Sequence, residues 1–333
     1  MIYLAPLQGY TEIDFRRAWS SLFTGIDMAV SPFIPLAEGL RFRNSHLRDV
    51  IPQHNTRVPV IPQVLGTDPV KFIRLAQRLQ ELGYDTVNWN LGCPKLSVAR
   101  KKRGSGILPY PDELRSIFDR LLPSLPLRLS VKTRLGFHSP DEFFSLTAVF
   151  NDYPLECLII HPRIGEQMYE GEMHLNVLDQ TIDELKHRLV FSGDISCPCQ
   201  FQKMKERYPQ ISDWMIGRGI LVNPFLPEMI KNKPTTPNDA TIRRRQKLFH
   251  EELFCEIRDK FSRDRTIINK MKDYWSYFAR WFEGEQEIFR LLAHQQSLAV
   301  FIDEARRILD ERPLAPFEYR SNAQVRVKGV KIR

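Results

Sequence analysis

"VPVIPQVLGTDPVKFIRLAQRLQELGYDTVNWNLGCP", residues 58–94, carries two β-rich runs with a helical pattern between them. The first run, "VPVIPQVLG" (58–66), is dominated by β-branched residues and closes at a glycine. "DPVKFIRLAQRLQELG" then sets Val70, Ile73, Leu75, Leu79 and Leu82 on one helical face, and "TVNWN" (86–90) resumes the strand pattern. The alternation extends in both directions. Strands are expected at "IYLAP" (2–6), "DMAVSPFI" (27–34), 58–66, 86–90, "LRLSVKTR" (127–134), "CLIIHPR" (157–163), "RLVFSGDI" (188–195) and "DWMIGRG" (213–219). Among the helical stretches, "SPDEFFSLTAVF" opens with Ser139 as N-cap, Pro140 at the first helical position and Glu142 completing a capping box. Eight strands alternating with helices imply an α/β fold with a parallel sheet buried on both faces, and eight is the number that closes a (β/α)8 TIM barrel. A doubly wound open sheet is the alternative. It is disfavoured because no strand is followed by G-x-G-x-x-G at a helix start.

The alternation stops near residue 231, which makes 1–231 the catalytic barrel domain. "KNKPTTPNDAT" (231–241) is polar and carries two prolines, so 232–241 reads as a linker. Residues 242–312 are expected to form a small all-helical domain, because three groups of apolar residues recur there at three- and four-residue steps. These are Phe254, Ile257 and Phe261; then Met271, Tyr274, Trp275, Phe278 and Trp281; then Leu298, Phe301, Ile302, Ala305 and Leu309. The remainder, 313–333, is a basic tail ending in "RSNAQVRVKGVKIR".

The 333 residues are 43% hydrophobic, enough for a sizeable core, and no apolar run approaches the ~18 residues of a membrane span. "MIYLAPLQGYTE" meets a proline and a glycine where a secretory signal needs a longer apolar stretch, so a cytoplasmic protein is expected. The five cysteines are scattered and odd in number, which argues against a disulfide framework and for a reducing compartment. Cys197 and Cys199, in "SCPCQ", lack a second pair or a nearby histidine; a helix start is the better reading, and no metal is expected. A formal charge of +8 favours a polyanionic partner.

In such a barrel the chemistry lies where strands end and βα loops begin. Gln63 ends the third strand, Asn90 and Cys93 follow the fourth, Lys132 and Arg134 lie in the fifth, and His161 and Arg163 end the sixth. "SGD" (192–194) and "GRG" (217–219) end the seventh and eighth, where glycine-containing turns let backbone N–H groups approach a phosphate. Taken singly, Gln63 and Asn90 satisfy loop backbone and His161 is a core histidine. Lys132 is harder to dismiss, since a lysine in a buried strand needs an anionic or polar partner. Together these groups point to a phosphorylated cofactor with a polar ring.

The motifs "APLQG", "PVIPQVLG", "NLGCP" with "GSG" beyond it, "VKTRLG", "IIHPR" with "QMYEG", "SGDI" and "IGRG" follow one another along residues 2–230. Their order and spacing resemble the tRNA-dihydrouridine synthases, and "NKMKDYWSYFARWF" (269–282) is similar in character to the tRNA-binding domain of that family. The resemblance implies a barrel holding FMN, reduced by NADPH, that reduces the 5,6 double bond of a uridine in tRNA. Carried over residue by residue, it implies that Pro6, Leu7, Gln8, Gln63, Lys132 and His161 contact the flavin ring, and that Ser192, Gly193, Asp194, Gly217 and Arg218 hold ribityl and phosphate. Asn90, Arg134 and Tyr169 would face the flipped uridine. Three positions depart from the family pattern: Gln8 where an acidic residue is usual, Ser192 where asparagine is usual, and Ile164 where threonine is usual.

The same resemblance gives Cys93 a task. Hydride added at uracil C6 leaves charge that a proton at C5 must quench, and a protonated thiol can donate it. The basic run Arg100, Lys101, Lys102 and Arg103 lies on the same loop, suited to tRNA phosphates. A monomer is expected. Two other classes share parts of this pattern: a flavin dehydrogenase of a free pyrimidine, and a non-catalytic RNA-binding barrel.

Overall fold

The computed structural model describes residues 1–36, 47–232 and 238–315. Its sheet has ten segments: β1 (Ile2–Leu4), β2 (Met28–Val30), β3 (Ile34–Pro35), β4 (Val60–Ile61), β5 (Gln63–Leu65), β6 (Thr86–Leu91), β7 (Arg128–Gly136), β8 (Leu158–Ile164), β9 (Leu189–Ser192) and β10 (Asp213–Ile216). They run in the order β3-β5-β6-β7-β8-β9-β10-β1-β2-β4. The ten segments are eight strands, two of them interrupted. β2 and β3 divide the second strand, and β4 and β5 divide the third at Pro62, which has no N–H to donate to a ladder. Because β2 pairs with β4 and β3 with β5, both in parallel, the second and third strands touch along their length and the sheet closes on itself. The expected (β/α)8 barrel is therefore present.

Alternation along β6 shows why both faces are buried. Val87, Trp89 and Leu91 are fully buried, and the Trp89 ring meets Phe72 and Phe118 edge-on at centroid distances of 6.0 and 5.2 Å. Those phenylalanines belong to α2 (Pro69–Glu81) and, after the short α3 (Leu96–Ala99), to α4 (Pro111–Leu121). The other face carries Asn88 and Asn90, in register with Ser130 and Lys132 of β7. On α2 the buried stripe is Phe72, Leu75, Ala76 and Leu79, whereas Val70, expected on the apolar face, is half exposed. Val70 sits in the first turn, off the face that the ring of Phe72 sets toward the sheet.

Residues group into two compact units: 1–12, 27–193 and 209–215 in one, and 13–26, 194–208 and the chain from 216 onward in the other. The first holds the sheet with α2 to α4, α5 (Glu142–Asn151) and α6 (Leu175–Thr181). Half of the capping exchange expected before α5 forms: Glu142 accepts from the Ser139 N–H at 2.9 Å, but the Ser139 hydroxyl accepts from the Asp141 N–H, at 3.2 Å, and not from that of Glu142. The helix itself starts at Glu142, two residues later than the capping box implied.

The second unit contains α1 (Ile13–Leu22), α7 (Pro198–Arg207), α8 (Arg218–Val222), α9 (Leu226–Asn232), α10 (Asp239–Lys260), α11 (Asp264–Phe278), α12 (Glu285–Ala293) and α13 (Leu298–Glu311). Aromatic packing decides this grouping. Phe15 of α1 meets Phe249 edge-on at 5.6 Å and stacks on Tyr274 at 6.1 Å, and Phe23 meets Phe225 and Phe249. Each such pair adds to the burial of its rings. Buried Asp14 accepts from Lys260 at 2.9 Å, and Arg245 forks onto Glu228 at 2.7 and 3.0 Å. Residues 233–237 of the expected linker and 316–333 of the basic tail lie outside the described residues.

Candidate active site

The loop after β6 carries Cys93. Asn90, one residue before the end of β6, is buried, and its Oδ1 accepts from the backbone N–H of Cys93 at 2.8 Å and of Gly92 at 3.1 Å. The chain then forms α3, takes a left-handed conformation at Lys102 (φ 49°) and returns. At its return Ser105 donates to the Cys93 carbonyl from both its N–H, at 3.1 Å, and its hydroxyl, at 3.0 Å. Gly104 (φ 58°) permits that approach, since a Cβ there would lie 2.6 Å from the Cys93 oxygen. The thiol is nearly fully buried. Burial raises its pKa above the ordinary value, against the pull of Lys95, Arg134 and Lys132. At neutral pH it is a protonated thiol.

Gln63 is fully buried, its Oε1 accepting from Asn90 Nδ2 at 2.8 Å and its Nε2 donating to Asn88 Oδ1 at 2.7 Å. Lys132, in register with Asn90, makes no hydrogen bond or ion pair among the described residues. Burial, with the Arg134 charge beside it, lowers its ammonium to about 7, opposed by Cys93. It is a cation set among polar groups without an anion.

Arg134 is buried and forks onto backbone carbonyls. Nε donates to Gly92 at 2.9 Å, Nη1 to Ile164 at 2.7 Å, and Nη2 to Met168. It thereby ties the Cys93 loop to the loop after β8, and its guanidinium lies 5.4 Å from the ring centre of Tyr169 on that second loop. Arg163 holds the far end of the same loop through the Gly171 carbonyl, at 2.9 and 3.2 Å, and contacts His161 Nε2 at 3.2 Å.

After β1, Pro6 and Leu7 are half-buried and Gln8 is exposed on a turn closed by Thr11. The Thr11 hydroxyl donates to the Ala5 carbonyl at 2.7 Å and accepts from the Leu7 N–H at 2.8 Å. In the same unit, Ser192 ends β9 buried, and Gly193 follows where a Cβ would strike the ring of Phe191 at 2.4 Å. In the other unit, Asp194 accepts from Arg218 at 2.9 Å, Gly217 precedes α8, and the neighbouring Gly219 leaves its Cβ position 2.1 Å from the Ile195 oxygen. Cys93, Asn90, Gln63, Lys132, Arg134, His161, Tyr169, Pro6, Leu7, Gln8, Ser192 and Gly193 thus share one unit; Asp194, Gly217 and Arg218 belong to the other.

Thr11, Asn88, Ser105 and Ser130 were not singled out in the sequence. Asn88 and Ser130 had a legible signal, since each stands two residues before a selected residue, Asn90 and Lys132, and so faces the same way. Cys197 caps α7 by accepting from the Gln200 N–H at 3.1 Å, as a helix start requires. It is also joined to Cys199 by a disulfide, a pairing that the reading of the cysteines as a scattered set did not anticipate. Two residues of separation with a Cα–Cα distance of 5.3 Å bring the sulfurs together locally, independent of any framework. Among the described residues no cluster of His, Cys, Asp or Glu could hold a metal, and no helix is long and apolar enough to cross a membrane.

Morphinone reductase superposes with a TM-score of 0.52 at 12% identity, covering 72% of this chain and 88% of that one, a likeness of fold alone. Among sequences, "tRNA-dihydrouridine synthase B" of Pasteurella multocida is 28% identical over 68% of this chain and 67% of its own length. A "Probable tRNA-dihydrouridine synthase" of Staphylococcus aureus is 27% identical over 98% of this chain and 95% of its own. The family model described as "Dihydrouridine synthase (Dus)" matches residues 3–311, a span that includes the whole barrel and the helices after it. A (β/α)8 barrel, a buried cysteine on the loop after the fourth strand and a match of that extent agree: the chain belongs to the dihydrouridine synthase family.

Proposed function

We propose that this protein reduces uridine in tRNA to dihydrouridine, with FMN as its cofactor, NADPH as reductant and Cys93 as the acid that protonates C5. The observation that carries the reading is Cys93 itself, a buried, protonated thiol on a loop fastened by Asn90, Ser105 and Arg134. Fastening at three points presets the geometry of proton transfer. Family membership and the names of the relatives support tRNA as the substrate.

The residues present fit FMN. Lys132 is a cation without an anionic partner among the described residues, and the Ser192 hydroxyl is likewise unengaged. FMN, when bound, supplies the hydride that uracil C6 receives. Lys132 would hold the polar edge of the flavin ring, with His161, Gln63, Pro6, Leu7 and Gln8 beside it, and Ser192, Gly193, Asp194, Gly217 and Arg218 would bind ribityl and phosphate. Asn90, Arg134 and Tyr169 shape the pocket for the flipped base, and Cys93 delivers its proton to C5. The helices of residues 242–312 and the basic run 100–103 meet tRNA phosphates. A tRNA substrate puts the enzyme in the cytoplasm, where we take it to act as a monomer.

The test is direct. Wild-type protein should purify yellow, bleach with NADPH and form dihydrouridine in tRNA from a strain lacking this gene, read by mass spectrometry of nuclease digests. Cys93→Ala should retain flavin and its reduction by NADPH while uridine reduction slows roughly 10²- to 10⁴-fold, the worth of positioned proton transfer. Full activity of Cys93→Ala, or reduction of a free pyrimidine in preference to tRNA, would overturn the reading.

A further inference from the structure

Five hydrogen bonds run head to tail across three barrel strands and end on the Cys93 loop. The Cys93 N–H donates to Asn90 Oδ1, Asn90 Nδ2 to Gln63 Oε1, Gln63 Nε2 to Asn88 Oδ1, Asn88 Nδ2 to Ser130 Oγ, and Ser130 Oγ to the Val87 carbonyl, over 2.8, 2.8, 2.7, 2.9 and 3.2 Å. Gln63, Asn88 and Ser130 are fully buried.

The direction of the chain is set at both ends. Asn90 Oδ1 faces two backbone N–H groups, so it must be the oxygen, and its nitrogen must point at Gln63. Gln63 must then turn its nitrogen to Asn88, and Asn88 its nitrogen to Ser130, whose proton goes to a carbonyl. Reversing any one amide would set like groups against each other at one contact or more, since only the Ser130 hydroxyl can serve as either donor or acceptor. Barrel interiors are ordinarily filled by Val, Ile and Leu, which need no partners. A buried polar network is costly unless complete, and when complete it imposes one arrangement on its members. Here the arrangement ends at the backbone of the cysteine.

We propose that Asn88 and Ser130 are positioning residues for Cys93: they lock the amide of Gln63, which orients Asn90, which holds the Cys93 N–H. Neither residue touches the thiol. The inference rests on the reading of Cys93 as proton donor and extends it two residues deeper into the barrel.

The holoenzyme carries an internal reference, since Cys255 is exposed and unpaired with any sulfur. Ser130→Ala and Asn88→Ala should raise the ratio of Cys93 to Cys255 alkylation by iodoacetamide, read peptide by peptide in a mass spectrometer. In single-turnover experiments with NADPH-reduced enzyme, both variants should slow uridine reduction roughly two- to tenfold, as loss of one buried hydrogen bond allows. Flavin content and the rate of flavin reduction should fall less than uridine reduction does. The double variant should be no worse than the worse single one, because the bonds act in series. Thr147→Val removes a buried hydroxyl that bonds only within its helix, to Phe143, and should leave the Cys93 ratio unchanged. A wild-type alkylation ratio in both single variants, the same shift in Thr147→Val, or a parallel loss of flavin reduction would overturn the proposal. If wild-type enzyme proved inert toward tRNA, the proposed reaction would fall, and the alkylation ratio would still decide the positioning.

Discussion

The Nε of Arg134 donates to the Gly92 carbonyl at 2.9 Å, so a residue of the fifth barrel strand holds the backbone next to Cys93. Two more donors of the same guanidinium hold Ile164, at the end of β8, and Met168 on the loop after it. A planar fork with fixed donors can serve three carbonyls at once, and an ammonium cannot.

Arg134→Lys should therefore leave buried carbonyls unsatisfied and cost about 1–3 kcal/mol of stability, read as a shift in denaturant midpoint. Uridine reduction should fall more than flavin content, since Tyr169 and Cys93 both lose their shared anchor. Unchanged stability and activity in Arg134→Lys would show that the clamp is dispensable.

Lys132 makes stability pH-dependent in flavin-free protein. Its ammonium is lowered from 10.5 to about 7 by burial, so between these values the unfolded chain binds the proton that the folded one has released. Stability should thus rise with pH across that window, with the full penalty present below 7. Lys132→Met should be more stable than wild type at pH 6, and the advantage should shrink through pH 8 and 9.5. Chemical denaturation at the three pH values checks it; a constant difference would contradict it.

Gly104→Ala places a Cβ 2.6 Å from the Cys93 oxygen at a residue of φ 58°, a conformation that disfavours a side chain. The loop must shift and lose the Ser105 bonds to Cys93. Uridine reduction should drop by at least tenfold, while NADPH still reduces the flavin at the normal rate in a stopped-flow measurement.

Of the basic run, Arg100 and Lys101 are exposed, whereas Lys102 pairs with Glu113 and lies 3.9 Å from the Tyr110 ring centre. Log affinity for tRNA should fall linearly with log salt, by roughly 0.7 to 0.9 per phosphate contact. Arg100→Ala with Lys101→Ala should flatten that slope more than Lys102→Ala does, in filter-binding titrations. Equal slopes for all variants would remove this loop from the tRNA interface.

Strand and helix periodicity along residues 2–219 was enough to number the barrel strands, and alternation told which residues face inward, because a strand's side chains must take turns between two faces. Of the face expected on α2, Leu75 and Leu79 are buried, joined by Phe72 and Ala76, while Ile73 and Leu82 are partly buried and Val70, in the first turn, is half exposed. The proton-donor candidate could be read from a glycine, a cysteine and a proline following a strand.

What those inward residues do to one another depended on folding. Gln63, Asn90 and Arg134 read in the sequence as groups for ligands, yet their amides and guanidinium are committed to Asn88, to the Cys93 and Gly92 backbone and to the Ile164 carbonyl. The disulfide between Cys197 and Cys199 and the packing of Phe15 and Phe23 against Phe249 likewise depended on three-dimensional approach. Periodicity is a property of neighbours along the chain, so the sequence determined the elements and their inner faces by itself. A hydrogen bond between Asn88 and Ser130 joins residues 42 positions apart, and only the register of β6 against β7, set by closing the barrel, decided that they meet.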